Sequence, residues 1–294
     1  MTLINDTISP ITFDEASHVY KNVENNQRYY SATQIIEHYR PEFDNEFWLY
    51  YKVLQDVLGY ENDEVGKKKY SKYLREEFRF SFRYKHIDHL KAIAQHLGVD
   101  KQIDVAYKQK EWKDENKKST DKGTKFHEDI ERKRLAQKTK ILECGNTVHF
   151  RSFNKGLEET SFGSEMVEGI PELRLYNHKY RIAGTTDDPI FFPNRIVDIN
   201  DWKTNKAIKF ENRWDKMLYP LNHLDDCNFN HYNIQLSLYG WMLEQFGYKV
   251  RNLSITHVLF DENNEAKLWK VYPMKYLKTE VENLLEHYVA NHQR

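Results

Sequence analysis

The order of elements in residues 119–294 admits one broad architecture. A helix opening at Gly123 is followed by strands at 170–177, 180–192 and 196–203. A helix through "NIQLSLYGWMLEQFG", closed by Gly247, comes next, then two strands turning at Asn263-Asn264, then a last helix. The strand segments are runs of β-branched and aromatic residues bounded by turn formers, with one turn at Asn177-His178. The last helix carries Leu277, Val281, Leu284, Leu285 and Tyr288 on one face. Helices and strands interleaved in this way predict a mixed α/β fold.

The N-terminal part differs. Residues 11–30 predict a small hairpin with a polar turn at "VENN", and Ser31 and Gln34 have capping-box spacing for a helix that Pro41 stops. An aromatic-rich helix ends near Gly59, and 67–118 predicts two or three charged helices joined around Gly98. A boundary near Ser119 therefore divides a mainly helical accessory region, 1–118, from a core, 119–294. No repeat or Gly/Ser linker interrupts either part.

Composition narrows the class. The 294 residues are 39% hydrophobic and 30% charged, which is polar but globular. There is no run of about 18 apolar residues, so no membrane span is expected. The first residues lack a basic segment followed by an apolar one, so no secretory signal is visible. Cys144 and Cys227 are the only cysteines, too few for a four-cysteine zinc or iron–sulfur site, and a reducing cytoplasmic location is expected. Net charge is −1, yet Gly66 to Lys125 holds 17 Lys and Arg against 9 Asp and Glu. A basic segment beside an acidic remainder suits a polyanion guided toward a cation-binding pocket; a solvated lysine-rich helix face is the alternative.

The strand "IVDINDWK", 196–203, ends in a carboxylate and an amine two residues apart. Side chains alternate along a strand, so Asp201 and Lys203 share a face, whereas Asp198 faces the other way, as Asp188 does relative to Asp187. The pair is either a strand-end salt bridge or a catalytic couple, in which the carboxylate holds a hard divalent cation and the ammonium acts beside a phosphate. Three other stretches bear on the choice. His127 and Glu131 lie one helical turn apart in "GTKFHEDIE". Asp187 sits in an otherwise apolar and β-branched segment, "AGTTDD", where a carboxylate is costly unless paired or metal-bound; a strand-end or turn position is the alternative. Gln235 and Tyr239 share a helix face in "QLSLY".

In order, these stretches read G-x-x-x-H, G-x-x-D, D-x-K and Q-x-x-x-Y across residues 119–245. That pattern resembles the RecB-type branch of the PD-(D/E)XK nuclease superfamily. "ITFDEASHVY" with "YYSATQII", and "PELRLYNHKYRIAGTTD", are similar to segments of its phage-encoded exonucleases. The resemblance implies a restriction-endonuclease-like core, a mixed central sheet flanked by helices. It implies Mg²⁺ or Mn²⁺ bound by Asp187, Asp201, His127 and the backbone carbonyl of Trp202, with Glu131 and Glu172 as further candidates. Lys203 would position the attacking water, and Gln235 and Tyr239 would brace the site and touch DNA. The subgroup with a four-cysteine iron–sulfur cluster is excluded.

The activity so implied is metal-dependent DNA exonuclease action in recombination, repair or phage replication, with a single-strand annealing or binding protein as a partner. A structure-specific endonuclease on the same fold and an inactive DNA-binding module are the alternatives. Arg79 and Arg83, in "REEFRFSFRYKH" (75–86), are candidate strand contacts, because basic residues interleaved with aromatics hold single strands. The other reading of that stretch makes its aromatics core.

Overall fold

The computed structural model describes residues 11–14, 17, 19–82, 86–153, 162–261, 263 and 265–292. They form a mixed α/β protein with two compact units, Met1–Pro41 with Gly123–Arg294, and Glu42–Lys122. The expected boundary near Ser119 falls inside a helix, and the N-terminal hairpin belongs to the unit that contains residues 123–294 rather than to the helical one.

The chain opens with β1 (Ile11–Asp14), β2 (Val19–Asn22) and β3 (Arg28–Ser31), paired antiparallel in turn. Asn22 shapes the second turn by accepting the N–H of Glu24 at 2.8 Å. Ser31 then caps α1 (Ala32–Glu37), and the reciprocal bonds with Gln34 form the capping box that the spacing predicts.

The second unit is helical. It contains α2 (Asn45–Val57), α3 (Glu64–Phe78), α4 (Ile87–His96) and the first part of α5 (Val105–Gln137). Its core is Phe47, Tyr51, Leu54, Tyr70, Leu74, Phe80, Leu90, Ile93 and Ala94, with Phe78 and Phe82 packed against it. Phe80 is therefore a core residue with Phe78 and Phe82 packed against the same core, and Tyr84 lies outside the described residues. Arg79 is exposed and caps α3 in the left-handed region, and Arg83 lies outside the described residues.

In the first unit two sheets form. One has the order β1-β2-β3-β8-β7, the other β12-β11-β10-β9-β6-β5-β4. The strands are β4 (Thr139–Ile141), β5 (Thr147–Phe150), β6 (Val167–Gly169), β7 (Leu173–Asn177), β8 (Ile182–Thr186), β9 (Asp188–Phe192), β10 (Ile196–Lys203), β11 (Lys249–Phe260) and β12 (Ala266–Met274). β10 is central to the larger sheet, antiparallel to β9 and parallel to β11. Two expectations are corrected. Gly123 does not open a helix; it lies within α5, where an added Cβ would stand 3.2 Å from Thr204 Oγ1, so the glycine permits a close approach. The single strand at 180–192 is two strands in different sheets, separated by a bend at Asp187.

Alternation along β10 sorts the layers. Val197 and Ile199 join the core shared with α6 (Asn228–Glu244) and α7 (Lys278–His292), while Trp202 on the other face packs with Phe126 of α5. Residues 233–243 of α6 are all buried, so this helix is enclosed on every side. It packs closely on Gly184 of β8, where a Cβ would lie 2.5 Å from the Tyr239 ring.

Gly184→Ala should therefore lower stability by about 1–3 kcal/mol through overpacking. A second change, Tyr239→Leu, should recover part of that loss. Urea midpoints measure both, and an unchanged midpoint for the single variant would refute the contact.

Candidate metal centre

Where β9 starts determines the site. The antiparallel register of β9 with β10 ends at Asn200 opposite Asp188. Carried one residue further, that register sets Asp187 opposite Asp201. The chain bends at Asp187 instead of pairing, and its carboxylate Oδ2 accepts the backbone N–H of Trp202 at 2.7 Å. The Asp187 side chain thus substitutes for a ladder partner at an otherwise open edge of β10. In an extended strand the N–H and C=O of one residue leave from the same edge, so the Trp202 carbonyl faces this edge too.

Two more segments reach that edge. His127 of α5 brings Nδ1 to 3.3 Å from Asp187 Oδ2 and 3.7 Å from Glu172 Oε1. Glu172 precedes β7 with φ +53, a left-handed conformation that costs a non-glycine residue about 1–2 kcal/mol. Its N–H donates to the Asp187 carbonyl at 2.9 Å, which holds it there. α5 is fixed by Arg134, two turns beyond His127, whose guanidinium donates to the buried Asp188 at 3.1 Å.

His127, Glu172 and Asp187 each offer one ligand atom, all within 4.8 Å of one another. Octahedral coordination with bonds of about 2.1 Å places adjacent ligands about 3 Å apart and opposite ones about 4.2 Å apart. An imidazole and two carboxylates at these spacings fit a divalent cation after a small contraction. Asp201 is not among the three. Its carboxylate is held against the Lys203 ammonium, on the face shared with α6. Glu131, on the turn after His127, is also not in the group.

From Lys203 a polar line enters α6. Lys203 Nζ donates to Gln235 Oε1 at 3.0 Å, and Gln235 Nε2 donates to the Tyr239 hydroxyl at 3.0 Å. The ammonium also lies 4.6 Å from the ring centroid of Tyr232. Tyr232 donates to Asn205 Oδ1 at 2.5 Å, and His257 Nε2 donates to the Asn205 carbonyl at 2.6 Å, so the turn after Lys203 is pinned. Sequence reasoning missed Tyr232, although it stands three residues before Gln235 on the same helix face. Asp198 is bound by Arg251 and Asn252 on the opposite face, as alternation predicts.

These charges set each other's protonation. Burial pushes the Asp201 carboxyl up, to about 6, and Asp187 adds to this, while Lys203 and His127 oppose it. Burial disfavours the Lys203 ammonium, but the Asp201 and Asp187 carboxylates outweigh it and raise the amine above its ordinary value. For His127 burial likewise opposes protonation, yet hydrogen bonds to Asp187 and Glu172 and the charge of Asp201 carry its pKa up to about 10. Near neutral pH His127 is therefore an imidazolium beside the Asp187 and Glu172 carboxylates. That proton contributes stability fully below pH 6.5, and the contribution is lost as pH rises through about 10. Models of known protein families and curated proteins give no match to this chain.

The left-handed backbone at Glu172 separates two effects of substitution. Glu172→Gly and Glu172→Ala both remove the carboxylate, but only alanine keeps a Cβ at φ +53. The glycine variant should be more stable than the alanine variant by about 1 kcal/mol in chemical denaturation. Equal stabilities would show that the backbone there is not strained.

Proposed function

We propose that this protein is a divalent-metal-dependent DNA nuclease, with exonuclease action on DNA ends, on a restriction-endonuclease-like core of the RecB type. One observation carries the reading. Motifs at 127, 187, 201–203 and 235–239 meet at one strand end, with Lys203 fixed between Asp201 and Gln235 and Asp187 held by the Trp202 N–H. A sheet with α6 on one face, α5 on the other and a parallel β10–β11 pair supports the fold assignment.

His127, Glu172 and Asp187 would hold the ion, with Asp201 and the Trp202 carbonyl beside it. Carboxylates accept Mg²⁺ or Mn²⁺, and the imidazole nitrogen favours Mn²⁺ of the two. Such an ion supplies Lewis acidity toward a phosphate oxygen and a bound water acidified toward neutrality. The protein's own groups do the rest. Asp201, ionised above about pH 6, keeps Lys203 charged and aimed. The Lys203 ammonium offsets charge that builds on the phosphate oxygens and orients the attacking water. Gln235, tied to Tyr239, removes rotational freedom from the Lys203 head group.

Lys203→Ala should abolish cleavage of end-labelled DNA in Mn²⁺ while leaving DNA binding largely intact; turnover like that of the wild type would refute the assignment. Metal binding must displace the His127 proton. Divalent-cation affinity should therefore rise by up to about tenfold per pH unit between pH 7 and 9, with close to one proton released. Calorimetry in buffers of different ionisation enthalpy measures this, and affinity independent of pH with no proton release would remove His127 from the ligand set.

A further inference from the structure

The face of the larger sheet that carries Asp201 and Lys203 continues onto β12. Cα partners define two rows across it: Asp201, Ile255 and Tyr272, then Lys203, His257 and Lys270. Each row crosses two strand spacings, so Tyr272 and Lys270 stand about 10 Å from the Asp201–Lys203 pair. Residues Phe229, Tyr232 and Gln235 follow the same direction along α6, three apart, a stripe about 9 Å long that ends at the Lys203 head group.

At the far end of both lines is an aromatic group. Phe210 is 51% exposed, and its ring centroid is 4.9 Å from Phe229 and 5.4 Å from Tyr272. The Lys270 ammonium lies 4.8 Å over the Tyr272 ring. The segment that carries Phe210 is held in place. Lys209 N–H donates to Asn228 Oδ1 at 2.7 Å, Asn228 Nδ2 donates to the Ala207 carbonyl at 2.9 Å, and Phe229 N–H donates to the Lys209 carbonyl at 3.2 Å. Half of a large ring is thus kept in water by a pinned backbone. Lys209 adjoins it in the chain and Lys270 lies over the neighbouring Tyr272 ring, and among the described residues neither ammonium is in an ion pair. An exposed ring beside unpaired ammonium groups matches the chemistry of a single nucleic-acid strand, whose bases stack while its phosphates seek cations.

We propose that Phe210, backed by the half-buried Phe229 and Tyr272 and flanked by Lys209 and Lys270, forms a stacking platform for a base of single-stranded DNA one to two nucleotides from the phosphate held at the metal centre. This rests on the nuclease reading for the position of that phosphate.

The test uses the full-length protein and fluorescein-labelled oligothymidylate of ten nucleotides in EDTA, read by anisotropy. Phe210→Ala and Phe210→Leu should each weaken binding about fivefold or more, and Phe210→Trp should retain it. Leucine keeps apolar contact with Tyr272 but cannot stack, so a structural role alone would spare that variant. Lys270→Ala should lower the slope of log affinity against log salt by about 0.7. A 2-aminopurine near the bound end should be quenched by the wild type and not by Phe210→Leu. Wild-type affinity and quenching in both the alanine and the leucine variant would overturn the platform, as would tighter binding of an RNA or peptide competitor unaffected by Phe210. Wild-type protein that shows Phe210-dependent binding but cleaves no DNA in Mn²⁺ would overturn the nuclease reading and leave the platform standing. Cleavage by a wild type whose Phe210 variants bind normally would do the reverse.

Discussion

The bond from the Trp202 amide to the Asp187 carboxylate is what the site depends on. A ladder partner for Trp202 would continue β9 along β10 and close the edge. A side-chain acceptor ends the ladder there and lets the chain leave for the other sheet. The same residue thereby terminates one sheet, begins the connection to another and presents its carboxylate to His127. Glu172 is coupled to it through the Asp187 carbonyl, so the two acids are spaced by backbone bonds rather than by flexible side chains.

The second constraint is α6. A helix buried on every side has no solvent-facing stripe on which polar residues can go unexplained. Ser237 accepts the Leu277 N–H at 3.0 Å and so fixes the entry to α7. Gln235 and Tyr239 join Lys203, and Gly184 leaves room for the tyrosine ring. The glycine in G-x-x-D and the tyrosine in Q-x-x-x-Y, read as parts of separate motifs, are two sides of one contact.

Much of this was legible in the residues. Strand 196–203, the capping box at Ser31 and the buried face of the last helix follow from local periodicity and turn chemistry, which do not depend on distant partners. His127 lies 3.3 Å from Asp187, and Lys203, Gln235 and Tyr239 are joined by hydrogen bonds, with Glu172 beside His127. Other features had no local signal. The break at Asp187 lies in a stretch buried on both faces, so no alternation marks it. Strands β4 to β6 are three or four residues long and partly polar, too short for a period to show. Gly123 resembled a helix start because glycine commonly borders helices; here it serves close packing against Thr204. The hairpin's placement depends on β3 pairing with β8, about 150 residues away, which no local pattern encodes. The Asp201 carboxylate is also paired with Lys203, the partner that alternation along the strand gives it.

Because the donors at 127, 172 and 187 come from a helix, a left-handed turn and a bend between sheets, no short peptide of this chain can reproduce the cluster. Loop closure must already have been paid for by the surrounding sheets before the three groups adjoin. A nascent or partly unfolded chain therefore offers no preformed cation site here. Whatever chemistry the assembled cluster performs is withheld until maturation is complete, and an ion captured afterwards would act as a thermodynamic latch on the finished topology.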